Sequence, residues 1–442
     1  MAFSGATATA DSAGGQRSGQ ASRGSTYKFA VRVPIWEPMS VDDIRDMTDW
    51  LIDQGLDGTP IKQFLPALAD RLNGHGASLK RINLGSDVLH PTIDTRSFHW
   101  TREGGVEMTM LDRGTFEENS PDWVQSPFRH MLVNRESSLR RKLGEGAPTG
   151  EFPLLDRFAS EGGTEYAAFV MRYGDGATLA EMDGMISSWL TDAPGGFGNA
   201  QMALIESIQK PLALAFNRNV LHTTTRTLLG TYLGEDAAKR VLAGNIERGR
   251  AESIRAVIWF SDLSGFTRVA DSIDRHLLLG LLNDYAGTVV DTLEAHGGNV
   301  LKFMGDGMLA IFPGEHLEDA CGHALKAAKE AIDAATALSA TRGADGLPTT
   351  DLYLALHEGE LLYGNFGGRS RLDFTVLGPA VNEASRMAAL SRSIDQRIIV
   401  SSAFASACGG KRDRLVSLGR YALRGVAQPQ ELFTLDPQAG GR

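Results

Sequence analysis

Two aspartates, Asp262 and Asp306, each stand where an apolar run breaks into glycine. The first follows the β-branched and aromatic run 256–260 and precedes Gly265, and the second is the centre of Gly305-Asp306-Gly307. Such a run reads as a buried strand, and the glycines read as turns. One carboxylate is therefore expected at a strand end and the other at a hairpin tip, where the backbone is open enough to admit a ligand. That pairing suits a hard, oxygen-binding cation that keeps part of its coordination for substrate phosphates. Taken singly, each aspartate has a plainer explanation, because Asp-Gly is ordinary turn chemistry and an Asp after a strand often caps. Lys302 in the same hairpin, with Asn382 and Arg386 downstream, favours chemistry over capping.

The elements that must hold these groups are readable around them. Alternation in the hairpin puts Val300, Lys302 and Met304 on one face and Leu301 and Phe303 on the other. Residues 316–340 form an Ala-rich helix. Strands are expected at 351–356 and again within LHEGELLYGNFGG (356–368), which turns from one strand into another, and at 373–377. Gly378-Pro379 then opens a helix, with Pro near its first position. Asn382 and Arg386, four apart, share one face of it, while Val381, Ala384 and Ala388 mark the buried stripe. Strands at 397–400 and 415–418 and a hairpin in YALRGVAQPQELFTL (421–435) close the region.

From about Arg255 to about Leu435 the sequence resembles the class III nucleotidyl cyclases. The resemblance implies a ferredoxin-like α+β domain that drives in-line attack of a ribose 3′-oxygen on the α-phosphorus. It implies two Mg2+ or Mn2+ ions per site, held by Asp262 and Asp306 with help from the Leu263 carbonyl. By the same resemblance Asn382 orients the ribose and Arg386 contacts the α-phosphoryl group. The turn Ser264-Gly265-Phe266-Thr267 offers backbone N–H groups to phosphates. Arg424 stands where many relatives carry a Lys for the triphosphate, keeping the charge and allowing a bidentate contact; Arg371 is a second candidate for that task. Lys302 and Thr375 occupy the positions that read the base. An adenine-selective pocket needs a donor and an acceptor, and these two supply them. A hydroxyl both donates and accepts, so Lys302 carries the adenylate assignment, with guanylate cyclase as the alternative. In the family the metal carboxylates and the Asn/Arg groups act from opposite subunits, so a homodimer with two composite sites is expected. A catalytically silent nucleotide-binding regulator is disfavoured because every expected position is filled. Diguanylate cyclase fails because the hairpin reads FMGDGM, with no GG[DE]EF pattern.

The remainder of the 442 residues divides by composition. Residues 1–35 begin with a Gly/Ala/Ser-rich stretch that cannot offset its chain entropy by burial, so disorder is expected. Residues 36–200 read as a globular sensor domain, 201–250 as a helical linker, 251–437 as the cyclase domain and 438–442 as a tail. In the sensor region, 41–51 and 61–72 have helical periodicity, the first opened by Ser40 as N-cap. Strand-like segments follow at 78–84, 97–101, 106–111, 166–173 and 184–190, with a helix expected over 127–143. A strand, a Pro-Gly-Gly loop and a helix near Asn199 resemble the end of GAF domains, antiparallel sheets between helices that cradle small ligands. An unidentified small-molecule signal is the implied partner. A rival reading makes this half a haem or small-molecule sensor with its output elsewhere. His75, His90, His99 and His130 form no zinc-type pair and are expected to be ordinary hydrogen-bonded residues. Trp100, Trp123, Trp189 and Phe128 suit either a pocket or plain core. Pro211 is expected to kink the linker, and Gly234 and Gly244 to bound a short helix. Two cysteines, no signal-peptide pattern and no long apolar run point to a reducing cytoplasm without a membrane span. A net charge of −10 disfavours non-specific nucleic-acid binding.

Overall fold

The computed structural model describes residues 40–113, 120–144, 146, 150–174, 184–426 and 428–436. The disordered segment expected at 1–35 and the tail at 438–442 lie outside the described residues.

Ser40 and Asp43 cap each other reciprocally and start α1 (Val41–Asp57). Then come α2 (Ile61–Gly74), β1 (Leu79–Asp87), β2 (Ile93–Thr101), β3 (Gly105–Asp112), α3 (Pro121–Val124) and α4 (Pro127–Asn134). They are followed by β4 (Ser138–Lys142), α5 (Pro153–Ser160), β5 (Glu165–Arg172), β6 (Gly184–Thr191), α6 (Asn199–Ser207) and α7 (Gln209–Leu233). The strands form one antiparallel sheet in the order β3-β2-β1-β6-β5-β4. Period-two alternation divides its faces: Ile82, Leu84 and Trp189 pack against α1, α2, α6 and α7, while Ala168 and Val170 face Met131 of α4 and Phe158 of α5.

The helix expected over 127–143 is corrected. Arg135, in a left-handed conformation, ends α4, and 138–142 is a strand. Leu139 is its only buried residue because β4 is an edge strand, so it shows no apolar alternation. Its Arg140 instead pairs at 2.6 Å with Glu165, which is 1% exposed. The linker breaks at Ile208, between α6 and α7, and Pro211 falls in the first turn of α7, where a missing N–H is tolerated.

The second domain follows α8 (Glu235–Leu242). It contains β7 (Ala251–Leu263), α9 (Phe266–Ser272), α10 (Arg275–Ala295), β8 (Asn299–Met304), β9 (Gly307–Pro313), α11 (Leu317–Ala344) and β10 (Leu352–Gly367). β11 (Leu372–Leu377), α12 (Pro379–Ser393), β12 (Ile398–Ser401), α13 (Ser402–Ala407), β13 (Leu415–Tyr421) and β14 (Gln430–Leu435) complete it. The sheet runs β13-β14-β12-β10-β7-β9-β8, with β11 paired to the far half of β10. β7 is buried on both sides: Val257 and Trp259 face α10 and α11, and Ala256 and Ile258 face α8 and α12.

Two strand expectations change. Residues 352–367 are one continuous strand, not two joined by a turn. Their glycines serve close packing, since a Cβ at Gly359 would meet the Ala380 side chain at 2.6 Å and one at Gly364 the Arg250 carbonyl at 2.2 Å. In β8 the simple alternation is broken by a bulge between Val300 and Lys302: Val300 lies opposite Ala310, but Lys302 lies opposite Leu309.

Candidate active site

Asp262 sits one residue from the end of β7, opposite Tyr353 of β10, and its Oδ1 accepts the Leu263 amide at 3.1 Å. Asp306 occupies the turn between β8 and β9. That turn presses against the end of β7. A Cβ at Gly307 would lie 2.8 Å from the Ser261 carbonyl oxygen and 3.6 Å from Asp262 Oδ1, so only glycine fits there. The two carboxylates are thus brought together. Burial, and then the neighbouring Asp306, pushes the Asp262 carboxyl up to about 6. Arg392, near the end of α12, opposes this from 3.0 Å.

Among the described residues no cluster of three His, Cys, Asp or Glu side chains could hold a metal. Two crowded carboxylates and a backbone carbonyl nevertheless fit a hard divalent ion whose remaining ligands come from water or substrate. Mg2+ or Mn2+ would be held by Asp262, Asp306 and the Leu263 carbonyl. Gly265 takes a left-handed conformation (φ 62°) just before α9, so Phe266 and Thr267 begin that helix directly after the Asp262 strand.

The bulge in β8 re-aims Lys302 toward β11, where its ammonium meets Asp373 at 2.5 Å. Thr375 lies two residues further along β11, on the same face by strand alternation. It is 3% exposed, and its hydroxyl has no hydrogen-bond partner. Such an orphaned hydroxyl destabilises the unliganded chain and suits a ligand that brings its own polar edge.

Asn382 is exposed near the start of α12. Arg386 lies one turn later, its guanidinium beside the turn between β13 and β14: a Cβ at Gly425 would be 3.4 Å from it. Arg424 is thereby its neighbour, while Arg371 lies exposed ahead of β11. Asn382 and Arg392 are ten residues apart on one helix, so about 15 Å of helix axis separates Asn382 from the residue that touches Asp262. Within one chain the carboxylates and the Asn382 end of α12 do not converge.

Two members of the site escape sequence reasoning. Asp373 has a findable signal, being two positions before Thr375 on one strand. Arg392 has none, because its contact with Asp262 depends on how α12 crosses β7.

Residues 250–437 match the family model described as "Adenylate and Guanylate cyclase catalytic domain". An adenylate cyclase of Anabaena cylindrica is 32% identical over 158 residues, covering 36% of this chain and 31% of that protein. An uncharacterized protein of Mycobacterium tuberculosis is 31% identical over 208 residues, covering 47% of this chain and 36% of its own. The chain thus spans about a third of the length of these curated relatives. Among solved structures, the adenylyl cyclase CyaB from P. aeruginosa superposes with a TM-score of 0.39 at 23% identity, over 42% of this chain and 96% of that one. Among the described residues no helix is long and apolar enough to cross a membrane. The second domain is thus similar, along nearly its whole length, to an adenylate and guanylate cyclase catalytic domain.

Proposed function

We propose that the chain is a signal-regulated adenylate cyclase that converts ATP to 3′,5′-cyclic AMP and pyrophosphate. The observation that carries the choice of base is Lys302, tethered by Asp373 beside the unpartnered Thr375 hydroxyl. An ammonium with one donor on Asp373 keeps two for the adenine N1 edge, and Thr375 accepts from the 6-amino group. Guanine presents the reverse pattern and leaves a buried group unpaired, a penalty that binding sites translate into strong rejection. The likeness to a relative named adenylate cyclase agrees with this reading.

When bound, the divalent ions would acidify the ribose 3′-hydroxyl and neutralise triphosphate charge. Asp262 at the strand end and Asp306 in the hairpin turn would hold them. Asn382 orients the ribose, and Arg386 donates to the α-phosphoryl oxygens as charge builds there. Arg424 grips the triphosphate, with Arg371 as the alternative, and the turn Gly265-Phe266-Thr267 turns its amides toward the phosphates. The catalytic groups would come from two copies of the chain. Phe303, Met304, Leu362 and Phe366 are 48–59% exposed around the hairpin and the β10–β11 arm, a surface that a partner copy would cover. Free, buried Cys321 and Cys408 fit a reducing, cytoplasmic setting.

Turnover of ATP and GTP by the full chain tests the assignment. ATP is expected to win by roughly 100-fold, and Lys302→Glu is expected to remove most of that preference, in line with the penalty for unpaired polar groups. Equal rates with both nucleotides in the unaltered chain would overturn the adenylate reading.

Regulation is proposed to pass through Gly234. It joins α7, whose Leu212, Phe216 and Val220 belong to the first domain's core, to α8, whose Ala237 packs with Leu301 of β8. Gly234 has φ 82°, and a Cβ there would meet the Val300 carbonyl oxygen at 2.6 Å. Alanine at this point would therefore do more than stiffen the joint, because it would push on the strand that carries Lys302. Gly244, at φ 91°, faces open space. Gly234→Ala is expected to lower basal turnover severalfold, given a strain of about 1–3 kcal/mol. Gly244→Ala is expected to change it less and to leave the ATP-to-GTP ratio as it is. Unchanged turnover in Gly234→Ala would remove the joint from the route.

A further inference from the structure

The first domain's sheet has a second face, and a cavity of about 1060 Å³ lies on it beneath α3, α4 and α5. Strand register fixes its floor. Asn83 of β1 is opposite both His99 of β2 and Ser188 of β6, so three polar side chains cross the sheet in one row. In the next row Gly85 sits between Ser97 and Ile186, and a Cβ there would lie 2.8 Å from Ser97 Oγ. The floor is low and polar, while Trp123, Phe128, Leu154 and Phe158 make the roof apolar and largely aromatic. The four aromatic candidates therefore divide: Trp100 and Trp189 are core, whereas Trp123 and Phe128 line the cavity.

Arg81 lines the cavity beside this row. Its guanidinium lies 5.5 Å from the centre of the Phe158 ring and reaches His99 Nδ1 at 3.0 Å. Arginine can only donate, so Nδ1 accepts and His99 is a neutral ring protonated on Nε2. Burial, with the charge of Arg81 adding to it, pushes His99 down to about 4, which agrees. Arg81 is thus the cation of this row, and among the described residues no carboxylate forms an ion pair with it, Glu161 and Glu107 acting on it only at longer range. At the rim Arg113 is paired with Asp94 at 3.3 Å. Asn83 is 7% exposed, and its Oδ1 has no hydrogen-bond partner. A half-buried guanidinium without a direct ion-pair partner and a buried carbonyl without a donor are both unfavourable until a ligand supplies what they lack.

We propose that this cavity binds a planar aromatic monocarboxylate that also carries a hydrogen-bond donor. Its carboxylate sits on Arg81, its donor meets Asn83 Oδ1, and its rings lie under Trp123 and Phe158. Arg81 offers a half-buried partner to one negative charge, Arg172 lies exposed at the edge of the same cavity, and Asp87 and Asp94 at the cavity wall oppose a dianion such as a phosphate monoester. The volume leaves room for two or more rings. The proposal rests on reading residues 36–200 as the ligand-binding half of the regulated enzyme, and it adds the ligand's chemistry.

Calorimetric titration of the full chain tests it, with 6-hydroxy-2-naphthoate, its carboxamide and 2-naphthoate as probes. The hydroxy acid is expected to bind in a 1:1 ratio and the amide roughly 10- to 100-fold more weakly, as a lost charged hydrogen bond implies. Arg81→Ala should reduce the acid to the level of the amide. Asn83→Leu, which leaves Arg81 in place, should abolish the advantage of the hydroxy acid over 2-naphthoate. Equal affinity for acid and amide, or no binding of either acid, overturns the proposal. Cyclase rates in the same samples separate the two ideas: binding without any change in rate keeps the ligand class and overturns the sensor reading.

Discussion

Asp306→Ala is expected to lower turnover by roughly 1000-fold while leaving the fold intact, because several kcal/mol of counter-charge disappear from an anionic transition state. The fold is spared for local reasons. Asp306 lies in a partly exposed turn whose bend is set by Gly305 at φ 69° and by the close approach of Gly307 to β7. Its carboxylate also raises the Asp262 pKa, so removing it relieves a repulsion in the metal-free chain. The melting temperature should therefore hold or rise slightly while the rate collapses. Asp262→Ala is expected to match it in rate, but it also removes the partner of Arg392. Turnover within tenfold of the unaltered chain in Asp306→Ala, measured with saturating Mn2+, would overturn the two-carboxylate site.

Local chemistry made the strand-end and hairpin-tip placement of these aspartates legible. An apolar run followed by Ser-Asp and a Gly-Asp-Gly turn each have few conformational solutions. The Gly378-Pro379 start of α12 was legible for the same reason. What could not be read depends on partners distant in sequence. β10 runs unbroken through Gly359 and Gly364 because β7 pairs with it along its length, from Leu352 to Gly364, and local turn propensity is overridden. β4 carries three basic residues in five and looks like surface, yet buried Glu165 on the paired strand β5 explains Arg140. The bulge that turns Lys302 toward Asp373 inserts one residue against β9, which no two-residue alternation announces. The contacts that organise the site, Lys302 with Asp373 and Arg392 with Asp262, span 71 and 130 positions (373 − 302 and 392 − 262). Such pairs follow from topology.

Mixing Asp306→Ala with Asn382→Ala is expected to restore activity that neither variant shows alone. The reason is the spacing within α12. Asn382 stands about 15 Å of helix axis from Arg392, the residue that reaches Asp262. A ribose oriented by Asn382 of the same chain could not also bring its 3′-oxygen to the Asp262 and Asp306 carboxylates. The Asn382 of a second copy can do so if the two domains meet head to tail, as the exposed Phe303, Met304 and Phe366 around the hairpin suggest. In such a dimer of the two variants, one site carries both lesions and the other carries neither. Random exchange makes about half of the dimers mixed, so about a quarter of all sites should be intact, and the rate should recover to about that fraction. Sedimentation or light scattering must first establish that both variants are dimeric, and labelled subunits that they exchange. Should dimeric, exchanging variants stay inactive when mixed, each active site would have to be built within one chain, and α12 would have to swing Asn382 toward Asp262 during turnover.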